Sequence, residues 1–350
     1  MPTISYASAG VNLEAGDAAV DAIKPALKST TRPEVVGGIG GFAGLFALDV
    51  DKYTKPLLAS STDGVGTKLA IAQQMDIHDT VGLDLVAMVV DDLVVCGAEP
   101  LFLLDYIATG EVSPDRISDI AAGIADGCRY AGCALIGGEI AEHPGVMNST
   151  DYDISATGVG VVEAEKVLGP EKVQDGDVVI AMRSSGAHSN GFSLIREALK
   201  TGGANLDSVV EEFGSQRTLG EELMTPTHIY AKDCLELISE CQVHSFAHIT
   251  GGGLAGNVIR ALPDGMEASI DRSSWCPNPV FDVVQRIGDI EAQEMERTFN
   301  MGVGMVAILP EDQVDRAIAL LTARHVEAWV AGRVTAGDHK VGLTGSYAKD

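Results

Sequence analysis

Leu57-Leu58-Ala59-Ser60-Ser61-Thr62-Asp63-Gly64-Val65-Gly66-Thr67-Lys68 is the segment around which the sequence is organised, and Val89-Val90-Asp91-Asp92-Leu93-Val94-Val95-Cys96-Gly97 follows close behind it. Leu57 to Ser61 is short, apolar and strand-like, and Asp63 falls where that strand is expected to stop. Gly64 and Gly66 permit a tight turn, and Thr67-Lys68 begins a helical pattern. Such a turn brings backbone N–H groups, a lysine and a carboxylate to one point, which suits a phosphate and its metal. From Val81 to Cys96 the apolar residues recur at helical spacing, with Gly97 as the stop. Asp84 and Asp91, seven apart, share a face of this helix, and Asp92 lies about 100° round from Asp91. Carboxylates near a helix C-terminus meet the unfavourable end of its dipole, and a bound cation relieves them. The plainer alternative is two solvated acids on a surface helix.

Around that stretch, the 350 residues are enough for two domains with their own cores. Hydrophobic residues make up 46%, aromatics 5%, and there are 40 glycines, a mixture that suits an α/β enzyme rich in tight turns. No apolar run reaches the roughly 18 residues needed to span a bilayer, and the N-terminus lacks the basic and apolar regions of a signal peptide. A cytoplasmic protein is expected. The formal charge of −26 argues against nucleic acid or anionic membrane as partner. It leaves room for a phosphorylated substrate held by backbone amides, magnesium and a few lysines. The six cysteines form no C-x-x-C pair and match no zinc spacing, so buried free thiols are expected.

Upstream, Ala15 to Lys28 reads as a helix carrying Lys24, a residue that spacing alone makes an exposed lysine. The run Gly37-Gly38-Ile39-Gly40-Gly41-Phe42-Ala43-Gly44 is a weak dinucleotide fingerprint, since no strand precedes it and Ala43 takes the third glycine position. It is a better backbone surface for close approach of a ligand. Gly64-Val65-Gly66-Thr67-Lys68 lacks Walker A spacing. Downstream, Leu101 to Ala108 is a strand carrying Asp105, Pro114 to Tyr130 a helix, and Ala134 to Ile136 a short strand delivering Gly137-Gly138-Glu139 past its end. Acids from segments far apart, each beside glycine or a turn, suit oxygen ligation of Mg²⁺.

Gly169-Pro170 to Asp177 is turn-rich and places a domain boundary there, giving domains of residues 1–170 and 171–350. In the second, the strand Val178–Met182 leads to Ser184-Ser185-Gly186-Ala187-His188-Ser189-Asn190-Gly191, then a helix. His248-Ile249-Thr250-Gly251-Gly252-Gly253 repeats the pattern. A strand, a small polar loop and a helix start make an anion site from backbone and hydroxyl donors, or simply a capped connection. His244 and His248 are four apart on a strand-like segment without the glutamate of a zinc helix.

Taken in order, Asp63 to Lys68, Asp92-Leu93-Val94-Val95, Gly97-Ala98-Glu99-Pro100, Leu104-Asp105-Tyr106 and Gly137-Gly138-Glu139 carry a resemblance. Gly186-x-His188-Ser189-Asn190-Gly191, His248 to Gly253 and Phe299-Asn300-Met301-Gly302-Val303-Gly304-Met305 extend it over nearly the whole chain. The ordered set resembles the phosphoribosylformylglycinamidine cyclo-ligase (AIR synthetase) family. The resemblance implies an α+β fold of two α/β-sandwich-like domains, with a homodimer formed through the first domain's sheets. It implies ATP-dependent closure of formylglycinamidine ribonucleotide to aminoimidazole ribonucleotide in purine biosynthesis, with ATP and Mg²⁺ as cofactors and no Walker motif.

Carried over to this sequence, the resemblance assigns Asp63, Asp92 and Glu139 to Mg²⁺ and the ATP phosphates, with Asp91 and Asp105 as lesser candidates. Lys68, Thr67 and the backbone of Gly64, Val65 and Gly66 would neutralise phosphate charge. Gly38, Gly40 and Gly41 would cover nucleotide or substrate, and Lys24 would reach the nucleotide. Ser189, Asn190, Gly191 and Thr250, Gly251, Gly252, Gly253 would take the ribonucleotide phosphate. His188 is the expected proton carrier during ring closure, acting with Asp63 and Lys68. The sequence departs from the family pattern at Asp91, where Asn is common, Ile140 (Thr), His143 (Met) and Arg183 (Gly). Related selenophosphate synthetases would carry an early cysteine, whereas the first here is Cys96, and the related hydrogenase-maturation proteins act through a C-terminal cysteine, whereas the sequence closes on Lys349-Asp350. Thiamine-monophosphate kinase and a catalytically silent ATP-binding scaffold are the remaining alternatives.

Overall fold

The computed structural model describes residues 4–38, 41–214 and 216–349. The chain divides into residues 1–93 with 99–164, and residues 94–98 with 165–350. The break after Ala164 precedes the expected one by a few residues, and the turn at 94–98 clusters with the second unit.

In the first unit the strands are β1 (Val35–Val36), β2 (Leu45–Phe46), β3 (Pro56–Gly64), β4 (Glu99–Thr109), β5 (Ala134–Glu142) and β6 (Tyr152–Glu163). Its helices are α1 (Leu13–Ser29), α2 (Leu69–Met75), α3 (Val81–Val95) and α4 (Pro114–Ala131). β3, β6, β4 and β5 form one sheet in that order, antiparallel except for the β4–β5 pair. α3 lies on one face, where a Cβ on Gly158 would come within 2.5 Å of Val89. The other face leaves Leu58 68%, Leu104 40% and Tyr106 39% exposed. The long helices match their periodic patterns, whereas two strands run further than expected. β3 continues through Asp63 because Ser61 to Gly64 stay in register with Gly158 to Ser155. β5 continues through Gly137-Gly138-Glu139, so Glu139 lies within a strand and not beyond its end. The glycines there serve close packing, since a Cβ on Gly138 would fall 1.8 Å from Asp105 Oδ1.

In the second unit the helices are α5 (Phe192–Gly202), α6 (Leu219–Leu223), α7 (Ala231–Glu240), α8 (Gly253–Val258), α9 (Pro279–Gly288), α10 (Ala292–Thr298) and α11 (Val314–Ala323). Its strands are β7 (Val178–Arg183), β8 (Ser245–His248), β9 (Met266–Asp271), β10 (Val303–Leu309), β11 (Ala328–Ala336) and β12 (Val341–Thr344), ordered β12-β9-β11-β7-β10-β8. Val178, Ile180 and Met182 face one core with α7 and α11, while Val179 and Ala181 face another with α8. Burial on both faces explains why β7 and β10 read as unbroken apolar runs. β7 and β8 run antiparallel to β10, so the segments after β7 and β8 and the one before β10 meet at one sheet end.

Candidate functional site

In the first unit a cavity of about 670 Å³ opens at the β5 edge. Val20, Ile23 and Leu27 of α1 form an apolar wall, Gly38, Gly41 and Phe42 another, and Asp105 and Glu139 also line it. Because Gly138 has no side chain, the Asp105 carboxylate leans across β5. Burial raises the Asp105 pKa to about 7. Cys128 and Cys133 are fully buried, and the Cys128 thiol is pushed well above its usual range by the Cys133 thiol and by burial. Thiols so placed are inert packing groups.

The acids expected to share one metal do not converge. Asp63 stands on edge strand β3 and Glu139 on the opposite edge strand β5. Three inter-strand spacings separate those edges, about 14 Å. Asp92 is exposed on α3, whereas Asp84 and Asp91 are fully buried on its inner face. Among the described residues, no three His, Cys, Asp or Glu side chains lie close enough to hold a metal ion. Lys68 also departs from expectation. It follows Gly66, whose φ of 73° turns the chain off β3, and is 0% exposed, with Nζ 2.8 Å from Asp84 Oδ2. Burial lowers its pKa while Asp84 opposes that shift. Thus the lysine ties the turn to α3 instead of presenting a charge to solvent.

At the sheet end of the second unit, residues 184–191, 249–253 and 299–302 form a loop cluster held by side chains. Ser184 Oγ lies 3.0 Å from both Gly186 O and Asn300 Oδ1. Asn300 Nδ2 donates to Gly186 O at 2.9 Å, and Asn300 Oδ1 accepts from the Gly302 N–H at 2.8 Å. Asn257 Nδ2 reaches the carbonyls of Thr250, Gly251 and Gly253 at 3.2, 3.3 and 2.8 Å. A Cβ on Gly251 would lie 3.8 Å from Asn190 Oδ1, so the first two loops adjoin. Tyr230 is fully buried and donates to Arg183 O at 2.6 Å. His188 adopts a left-handed φ of 60°, is 2% exposed, and accepts the Ser185 N–H on Nε2 at 3.2 Å. Gly304 makes room for it, since a Cβ there would sit 2.6 Å from His188 Cε1. Ser189 Oγ is buried without a hydrogen-bond partner among the described residues. A buried hydroxyl without a partner calls for one, an ordered water or a polar ligand.

Family profiles match both units. AIR synthase related protein, N-terminal domain, covers residues 45–162, and AIR synthase related protein, C-terminal domain, covers 174–344. Phosphoribosylformylglycinamidine cyclo-ligase of Anaeromyxobacter sp. (strain K) is 54% identical over 336 residues, 96% of each chain. The chain belongs to the phosphoribosylformylglycinamidine cyclo-ligase family. A second cyclo-ligase relative, from Carboxydothermus hydrogenoformans, is 48% identical over 97% of this chain and 99% of its own. Among solved structures, thiamine-monophosphate kinase from Stenotrophomonas maltophilia has a TM-score of 0.67 at 20% identity, covering 95% of this chain and 97% of that one. A hydrogenase maturation protein HypE in complex with ATP has a TM-score of 0.63 at 18% identity, covering 91% and 88%. These two share the fold.

Within this cyclo-ligase family member the expected residues fall into three groups. Gly38, Gly41 and Glu139 line the first-unit cavity, and Ser189, Asn190, Gly191 and Thr250 to Gly253 lie in the second-unit loop cluster. Asp63, Gly64, Val65, Gly66 and Thr67 stay together on the β3 turn, with Val65 buried and Asp63 Oδ1 accepting from the Gly64 N–H at 2.7 Å. Lys24 is exposed and ion-paired with Asp21, outside the cavity lining. Gly40 lies outside the described residues. Asn300, Asn257 and Tyr230 were not expected, although each locks a loop. Their signal is chemical: a polar group in an apolar run must find a partner once buried.

Proposed function

We infer that the chain is an ATP-dependent cyclo-ligase that closes formylglycinamidine ribonucleotide to aminoimidazole ribonucleotide in purine biosynthesis, releasing ADP and phosphate. The observation that carries this reading is 48–54% identity along the full length of proteins with that name. The formyl oxygen accepts the γ-phosphoryl group of ATP. A nitrogen of the same molecule then forms the new carbon–nitrogen bond, the carbon–oxygen bond breaks, and phosphate leaves with the oxygen while a proton is released. Such chemistry asks for positioning and charge stabilisation more than for a protein nucleophile. Ser189 Oγ, the Asn190 side chain and the Thr250–Gly253 backbone hold the ribonucleotide phosphate, and Asn300 and Asn257 keep those donors in place. His188 sets the loop's conformation through Nε2, which accepts from the Ser185 N–H, and is the candidate proton carrier during ring closure.

The first-unit cavity receives the nucleotide against the glycine backbone at Gly38, Gly41 and Gly138. Mg²⁺ binding commonly uses one or two carboxylates plus substrate phosphates; Glu139, in register with Tyr106 on the exposed sheet face, would supply one of them, whereas Asp105, in register with Gly138, turns to the opposite face. When bound, the ion supplies neutralisation of phosphate charge. ATP use is supported by the HypE relative of the same fold, solved with ATP. A second copy of the chain covers the exposed sheet face around Leu58 and Leu104, giving a homodimer. No described helix is long and apolar enough to cross a membrane, in keeping with a cytoplasmic enzyme.

The test is ADP release by purified protein with MgATP, with and without formylglycinamidine ribonucleotide, while aminoimidazole product is assayed. ADP that depends on that substrate and matches product one for one is expected. ADP without the substrate would point to a kinase-like phosphoryl transfer, and no ADP under any condition to a scaffold.

A further inference from the structure

A second cavity, of about 610 Å³, lies wholly within the second unit between α9, α10 and the C-terminal segment. Its size falls in the range of roughly 300–1,000 Å³ typical of small-molecule sites. The floor is apolar and polarizable: Met295 is 1% exposed, Met301 6%, and the Tyr347 ring closes one side. Thioether and aromatic surfaces of this kind take flat rings. The rim is polar in a specific way. Asp282 presents an exposed carboxylate, and Gln285, whose Nε2 donates to Ile290 O at 3.0 Å, has its carbonyl oxygen left to accept. Two acceptors at a rim select a ligand carrying N–H donors. Arg286 and Lys349 supply positive charge to the same lining, which also holds the carboxylates of Glu212 and Glu296, the latter paired with Arg272. Arg286 is paired with Glu212 at 2.5 Å, but both side chains are well exposed, and an exposed pair of that sort yields readily to a phosphate.

We propose that this cavity binds a planar nitrogen heterocycle bearing an amino group and linked to an anionic group, at a site separate from the nucleotide and ribonucleotide sites of the reaction. The heterocycle lies over Met295, Met301 and Tyr347, its N–H groups donate to Asp282 and Gln285, and its anion meets Arg286 and Lys349. The inference goes beyond the cyclo-ligase reading and does not depend on it. The floor also connects to the substrate loops, because Met301 follows Asn300, which clamps Ser184 and Gly186.

The protein carries its own reporter. Its two tryptophans, Trp275 and Trp329, both lie in the second unit, with ring centroids 5.9 Å apart. Trp275 Nε1 donates to Met301 O at 2.8 Å, and its ring meets Tyr347 at 5.2 Å. Adenosine 5′-monophosphate is the probe, neither substrate nor product of the proposed reaction, titrated against the full chain while tryptophan fluorescence is read. We expect a saturable change, at least tenfold weaker affinity for adenosine, and no change with inorganic phosphate alone. Arg286→Ala should weaken the nucleotide at least fivefold and leave adenosine unaffected, and Ala292→Phe, which fills the cavity, should abolish both responses. Asp282→Ala, a change at an exposed position, should weaken both ligands and remains informative if Ala292→Phe does not fold. A silent titration overturns the proposal, as does an undiminished response in Asp282→Ala and Arg286→Ala. Equal responses to inorganic phosphate and nucleotide also overturn it, since the heterocycle then contributes nothing. Turnover enters none of these readings, so loss of the cyclo-ligase assignment and loss of this site are told apart.

Discussion

On the function proposed above, the two units would hold phosphate in opposite ways. In the second, the loops after β7 and β8 and before β10 are locked by buried side chains, with Asn300, Asn257 and Tyr230 each donating to a backbone carbonyl. Among the described residues, the buried Ser189 Oγ has no hydrogen-bond partner there. In the first unit the cavity has acids and glycine backbone, while Lys68, the lysine expected at the phosphates, is turned into the core. A cluster whose donors are fixed before the ligand arrives recognises it with little reorganisation. A cavity whose polar lining is carboxylate would instead need a cation arriving with its nucleotide, as proposed above.

The largest effect that sharpens this contrast is expected at Lys68. Removing one partner of a fully buried ion pair leaves the other uncompensated, so Lys68→Met should cost roughly 3–5 kcal/mol in chemical denaturation. Lys68→Met/Asp84→Leu should recover most of that loss, because replacing both charges is often nearly neutral. Should the double variant regain stability and keep the KM for ATP, Lys68 holds the turn and touches no phosphate. A recovered fold with a lost ATP response would restore the lysine to the nucleotide and dissolve the contrast.

Next comes Asn300→Ala, which strips partners from Ser184 Oγ, Gly186 O and the Gly302 N–H together. Ser184 Oγ and Gly186 O keep each other while the Gly302 N–H is abandoned, so a loss of roughly 1–3 kcal/mol is expected. The KM for the ribonucleotide should rise at least tenfold while that for ATP moves little. Equal rises in both would mean that the loop cluster is not specific to one phosphate.

Asn300 also marks where reading the sequence stops working. The long helices, α3 and α4 above all, were legible because 3.6-residue periodicity and glycine stops are local signals. The segments that form the loop cluster were legible too, as small polar runs between a strand and a helix. Which side chain locks the cluster was not, since Asn300 bonds residues more than a hundred positions away. The placement of the acids was illegible for a related reason. Sequence shows that Asp63 and Glu139 adjoin glycines, but only sheet order puts them on opposite edges. Gly137-Gly138 read as a turn because glycine breaks strands on average. Here it lets β5 pass beside the Asp105 carboxylate.

Asp105 gives a smaller effect with a defined pH signature. Its folded pKa of about 7 stands above the ordinary 3.8, so the folded chain binds the proton more tightly than the unfolded chain. Stability from this group is therefore fully present below about pH 4 and is lost as pH rises through 7. In chelator, Asp105→Asn should remove that slope and leave the variant more stable than the parent at pH 8, by something on the order of 2 kcal/mol. Calorimetry at pH 4.5, 6 and 8 reads it directly. An unchanged slope would mean that solvent reaches the carboxylate and that the cavity is more open than its walls suggest.

The smallest change in subunit stability tests whether the first unit is finished by a second copy. Leu58, on the outer face of edge strand β3, is 68% exposed, and Leu104 and Tyr106 extend the same face. A lysine at an exposed position ordinarily alters stability by no more than about 0.5 kcal/mol. If the face is free in solution, Leu58→Lys therefore does almost nothing: sedimentation mass, unfolding midpoint and turnover all stay where they were. If two copies meet there, the lysine is forced into an apolar interface, and the sedimentation mass should fall towards that of a single chain at micromolar concentration. The ATP response should weaken with it only if the partner helps to complete the carboxylate-lined cavity. A halved mass with an unchanged KM for ATP would make the dimer a matter of stability alone, and the first unit's cavity would then be as self-sufficient as the second unit's loops.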